Sequence, residues 1–136
     1  MLLNNLNNVI IIQKGLSNNI GTFKATSTSF KYIFNSGGIA FKKSNDTNDG
    51  IMFDTIDNLI NIGVIKHKVG CIHLDVEGME EDAIEGGQET IKRDLPYLSI
   101  ENNGCDIEKK RFSILHKLPN EYQFQRRIRE NDVYNI

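Results

Sequence analysis

The chain is poor in the features that mark cell-surface, membrane and nucleic-acid-binding proteins. It has two cysteines in 136 residues, Cys71 and Cys105. They fall in no metal-ligand spacing, and reduced thiols in a cytoplasmic compartment are the expectation. No run of about 18 apolar residues exists, so no segment reads as a membrane-spanning helix. The short apolar run Val9–Ile12 lacks a basic flank and a small-residue cleavage site, so it does not read as a signal peptide. Sixteen Lys and Arg stand against 18 Asp and Glu, for a net charge of −2. That balance provides no basic field to hold nucleic acid. Arg126, Arg127 and Arg129 cluster, but Glu121, Glu130 and Asp132 surround them, as on a solvated strand and turn. A glycine-rich turn of the D-x-G-x-x-x-G kind is also missing; the glycine pairs are Gly37-Gly38 and Gly86-Gly87.

What is present suffices for one domain with one core, although 39% hydrophobic residues is slightly low for a globular chain. The most informative stretch runs from Ile72 to Asn102. Its first strand ends in Asp75-Val76-Glu77-Gly78, a helix follows, and a second strand ends in Glu101. Two apolar strands flanking a helix make a parallel βαβ unit, because parallel neighbours need a crossover connection. In open α/β sheets the reactive crevice lies at the carboxyl ends of the strands. Both strands therefore bring carboxylates to that edge, where a turn by itself would ask only for Gly, Asn or Ser.

Elsewhere the periodicity predicts a helical remnant at Leu2, Leu3 and Leu6 and a continuous strand over Val9–Gln13. Thr22–Ser27 and Phe30–Phe34 read as a hairpin or two short strands, and Lys42–Gly50 as a polar loop. Asp54 or Thr55 caps a helix to about Ile62, with Asp57 a helix-start residue. The helix after Gly78 buries Met79, Ala83 and Ile84, and Gly86-Gly87 breaks it or lets it pack close. An amphipathic helix spans about Asp106 to Leu118, and strands follow at Tyr122–Phe124 and Val133–Ile136.

The block from Leu74 to Glu101 resembles the FkbM-type family of S-adenosylmethionine-dependent methyltransferases. The resemblance is carried by Leu74-Asp75-Val76-Glu77-Gly78, by Glu80 through Gly87, by Pro96, and by Ile100-Glu101. Thr55-Ile56-Asp57-Asn58-Leu59 looks like the family's T-L-D-D-L element. Asn8-Val9-Ile10, Gly15-Leu16-Ser17 and Gly21 look like its N-V-x-V strand and following turn. The family's cofactor-binding first half has no counterpart here. The resemblance thus implies one N-terminally truncated domain over residues 1–136, with S-adenosylmethionine as cofactor. The implied fold is α/β, a partial Rossmann-like sheet that is mostly parallel, with a C-terminal antiparallel strand and a hairpin insertion. The implied activity is O-methylation of a small molecule or sugar. A sheet cut down its middle must hide an apolar edge, so a homo-oligomer or a partner chain completing the sheet is expected.

The candidate catalytic residues are Asp75, Glu77 and Glu101. Asp75 accepts a substrate proton or caps the next helix; Glu77 faces the cleft or caps; Glu101 touches substrate or lies at a solvated edge. By the resemblance, Leu16 and Ser17 lie where the cofactor's adenine would rest. Two other readings compete. One is a non-catalytic remnant, a binding module of the same fold. The other is a metal-dependent hydrolase on His73, Asp75 and Glu77, which would share one face of a strand. A buried His73 bonded to a carbonyl is the plainer alternative, and no metal site is assigned.

Overall fold

The computed structural model describes residues 8–25, 41–44, 50–103 and 106–136. Its first sheet contains β1 (Gly15–Leu16), β2 (Gly21–Ala25), β3 (Phe41–Ser44) and β4 (Ile51–Asp54). The spatial order is β1-β4-β2-β3. β1 runs parallel to β4, with Gly15 opposite Phe53, while β2 is antiparallel to both β3 and β4. Phe23 and Phe53 stack at 4.2 Å between ring centroids and bury a small apolar cluster with Met79.

The second sheet contains β5 (Cys71–Leu74), β6 (Tyr97–Glu101), β7 (Gln123–Ile128) and β8 (Asn131–Asn135), in the order β5-β6-β8-β7. β5 and β6 are parallel in the register Leu74 opposite Ile100. Between them lie α2 (Glu80–Glu85) and α3 (Gln88–Asp94), the crossover that parallel pairing requires. β8 is antiparallel to both β6 and β7. The main core forms where α2, α3 and α4 (Ile107–Lys117) cover this sheet, around Ile84, Ile91, Leu98, Ile100, Ile114 and Tyr134. Tyr122 reaches this core and donates its hydroxyl to the Pro96 carbonyl at 2.6 Å.

The sheets are mixed rather than mostly parallel. Two pairings are parallel, β1 with β4 and β5 with β6, and four are antiparallel. The reason is connection length. A parallel return needs a long connection, as β2 and β3 supply between β1 and β4 and α2 and α3 between β5 and β6, whereas Arg129 and Glu130 alone join β7 to β8. Arg129 adopts a φ of 55° in that turn.

Several local expectations change as well. Val9–Gln13 forms no strand; regular pairing starts only at Gly15. A ladder needs a neighbour on which to spend its peptide groups, and the run has none among the described residues. Lys42, Lys43 and Ser44 belong to β3 and not to a loop, because β2 offers them a partner edge. The helical remnant at Leu2–Leu6 and the strand at Phe30–Phe34 lie outside the described residues. α1 (Ile56–Asn61) and α4 begin where expected, with Thr55 accepting from the Asn58 N–H and Asp106 from the Lys109 N–H.

Among the described residues no helix is long and apolar enough to cross a membrane.

Candidate functional site

The parallel register of β5 and β6 determines where the acids go. Leu74 opposes Ile100, so Asp75 leaves β5 beside the residue that ends β6, Glu101. The chain then turns through Glu77 and Gly78, whose φ angles are 52° and 91°. Both are left-handed. A Cβ at Gly78 would meet nothing within 4 Å, so glycine is needed there for backbone angle and not for space. Glu77 takes the same region with a side chain, at a local cost of about 1 kcal/mol.

Glu80 holds this strained turn in place. Its side chain is almost wholly buried, and Oε1 accepts from the N–H groups of Val76 (3.3 Å) and Gly78 (3.2 Å). Oε2 pairs with the Lys110 ammonium at 2.9 Å. Burial pushes the Glu80 carboxyl up, but the Lys110 bond and the backbone N–H bonds outweigh it and hold the group below its ordinary value. Behind Glu101, Asn102 is fully buried and donates to Asp132 at 2.7 Å and to the Ile107 carbonyl at 2.9 Å. Asp132 in turn takes a forked pair of bonds from Arg111. This anchors the end of β6 to α4 and β8.

Asp75, Glu77 and Glu101 therefore share one rim. Glu101 registers the crowding. Its carboxyl is raised, first by partial burial, then by the charges of Asp75 and Glu77 and by a side-chain hydrogen bond with Asp75. Asn103 donates to Glu101 Oε1 at 2.7 Å.

A cleft of about 260 Å³ opens next to this rim, lined by Gly15, Leu16, Phe41, Phe53, Val76, Glu77 and Met79. Its walls are apolar, with Glu77 the one charged side chain among its lining residues. Leu16 and Glu77 thus line the same cleft. Ser17 does not line it. That residue is buried, donates its N–H to the Asp54 carbonyl, and packs its own carbonyl against Gly86.

His73 is exposed, with Nδ1 at 3.2 Å from the Ser99 hydroxyl, rather than buried against a carbonyl. Among the described residues no group of three or more His, Cys, Asp or Glu side chains has the arrangement to hold a metal ion. Asp57 does more than start α1. Its carboxylate accepts from the N–H groups of Glu89 and Thr90 and from the Thr90 hydroxyl, capping α3 across the fold. Glu80, Asn102 and Asp132 are the supporting residues that sequence reasoning missed. Each needs a partner far along the chain, and spacing alone carries no trace of it.

No family model matches this chain, and no curated protein does. Among solved structures, the chain is similar to the methyltransferase FkbM from Methylobacillus flagellatus KT. The TM-score is 0.52 at 17% sequence identity. The match covers 90% of this chain and 27% of that one. At that identity the likeness is one of fold, and the chain has a methyltransferase-like α/β fold.

Proposed function

We propose that the chain carries the acceptor side of an S-adenosylmethionine-dependent methyltransferase site, acting on an oxygen of a small molecule or sugar. The reading is carried by one observation: the parallel β5–β6 pair sets Asp75, Glu77 and Glu101 on a single rim beside an apolar cleft. The methyltransferase-like fold supports it.

When bound, the cofactor supplies an electrophilic methyl group on a cationic sulfonium. The residues present fit part of it. Leu16 and Phe53 give apolar faces for a flat ring, and the carboxylates suit a positive charge. Their volume, about 260 Å³, is below the roughly 300–1,000 Å³ of ordinary ligand pockets, so these residues cover only part of a ligand that size. Glu101 is suited to a hydroxyl proton. Its raised proton affinity makes it a stronger base than an ordinary surface carboxylate, and a placed base contributes about 10²–10⁴-fold. Asp75 lies beside it on the rim, and its charge helps to raise that proton affinity.

A second reading, a non-catalytic module of the same fold, is favoured by the small size of the cleft. Titration calorimetry with S-adenosylmethionine separates the two. Saturable heat at micromolar ligand, weakened in Leu16→Asp, supports the transferase. Absence of heat at millimolar ligand leaves the module.

A further inference from the structure

Among the described residues each of the two sheets ends in an unpaired edge. β1 ends the first sheet and β5 ends the second. Between them lies a cleft of about 350 Å³, lined by Ile12, Lys14 and Leu16, by Cys71, Ile72 and His73, and by Leu59 and Ile65. Tyr97 donates its N–H to the Gly70 carbonyl at 2.9 Å, and Cys71 stands opposite Tyr97. The alternation of a parallel ladder then aims the peptide groups of Gly70, Ile72 and Leu74 at β6. Those of Cys71 and His73 point the other way, into the cleft. The upstream run is in the same position. Val9, Ile10 and Ile11 are 42%, 77% and 61% exposed and belong to no ladder among the described residues.

We propose that a second copy of this chain fills the cleft, each copy laying its Val9–Ile12 run along the β5 edge of the other. Peptide groups facing a slot lined mainly by apolar side chains, with Lys14 and His73 among them, call for peptide partners, which a small molecule or a lipid does not supply in register. The run has the composition of a strand buried on both faces, and from Asn8 to Gln13 it carries no charge. The edge and the run, both without a ladder partner among the described residues, are complementary, and a reciprocal exchange closes after two copies instead of growing a fibre. The proposal is independent of methyl transfer.

The test uses the intact chain from about 1 to about 200 µM, where contacts of ordinary size associate. Light scattering gives the mass, and iodoacetamide labelling of Cys71, read by peptide mass spectrometry, gives the state of the edge. Expected is a dimer whose Cys71 labels about tenfold more slowly at the top of the range than at the bottom, following the bound fraction. Ile11→Lys, at an exposed position, returns the chain to monomer with fast labelling and an unchanged circular dichroism spectrum. Ile11→Cys cross-links to Cys71 between chains on mild oxidation, which keeps the idea testable if the lysine variant misfolds. A monomer throughout, with labelling independent of concentration, overturns the proposal. So does a dimer that Ile11→Lys leaves intact with Cys71 open, which places the contact on another face. Protection of Cys71 by a different polypeptide in stoichiometric amount overturns it as well.

Discussion

Removing Glu80 should unfasten the acid rim from the rest of the molecule, and the size of the loss follows from its partners. The carboxylate is 1% exposed and takes three hydrogen bonds, two from the N–H groups of the Val76–Gly78 turn and one from Lys110. Deleting one partner of a sealed ion pair costs about 3–5 kcal/mol. Lys110 retains 22% exposure and swings to water, and in the turn Val76 is half-buried and Gly78 exposed. Glu80→Ala is therefore expected to cost about 2–3 kcal/mol. Glu80→Gln keeps an acceptor for the turn and loses only the charge assistance, about 1–2 kcal/mol. The pH dependence separates this cause from simple repacking. Glu80 is depressed below 4.5 in the folded chain. A depressed carboxyl stabilises fully above its unfolded value and loses that stabilisation as pH falls through the folded one. Urea denaturation followed by circular dichroism should find the full wild-type-to-Gln gap near pH 7, narrowing below about pH 4.5 and closing in stronger acid. A cycle with Lys110→Met should return a coupling of about 1–2 kcal/mol. A gap that stays constant from about pH 7 to about pH 3, or a Glu80→Ala loss under about 0.5 kcal/mol, would refute the reasoning.

Other positions give sharp expectations. Gly86→Ala drives a methyl to 2.1 Å from the Ser17 carbonyl oxygen, and a thermal melt should register about 2–3 kcal/mol of destabilisation. Asp57→Ala strips the cap from α3, and the same melt should show a loss of about 1–2 kcal/mol, while Asp57→Asn recovers part of it. The bond from Arg93 holds Asp94 at about 2, against an ordinary 3.8. Its contribution is full above pH 3.8 and lost as pH falls through about 2; Asp94→Asn should cost about 1 kcal/mol in neutral urea melts and nothing in strong acid, Arg93 being half exposed. Glu101 is the opposite case, raised by its acidic neighbours. Glu101→Gln should leave stability unchanged in acid and raise it as pH climbs from the ordinary 4.5 through the raised folded value, and under the proposed function it should cut turnover by about 10²–10⁴-fold while S-adenosylmethionine binding survives in calorimetry.

The best-read part of the sequence was the segment whose physics is local. From Leu74 to Glu101, strand, turn, helix and strand follow within 28 residues. The apolar residues Ala83, Ile84, Leu98 and Ile100 fall on the faces that their spacing requires, and all are sealed in the core. The parallel register of β5 and β6 follows from the helices between them, and the shared rim follows from the register. The supports of the rim were invisible for the converse reason. Asp132 steadies Asn102 from 30 residues away, and Lys110 reaches Glu80 across the same distance. Neither spacing corresponds to a turn of helix or a strand repeat, so no local pattern records it.

The failed strand at Val9–Gln13 teaches the most. Its composition is that of a strand buried on both faces, and in that respect the sequence reading describes its chemistry correctly. Burial on both faces is a property of a sheet, however, and the run finds no ladder neighbour among the described residues. The same lack leaves the peptide groups of Cys71 and His73 facing an apolar cleft. Two elements that look unrelated in sequence thus fail for one reason. If a partner strand satisfies one of them, it lies within reach of the other. Protection at Cys71 and ordering of Val9–Ile12 should therefore appear together in hydrogen exchange, at the same chain concentration; one without the other would separate the two vacancies and break the link between them.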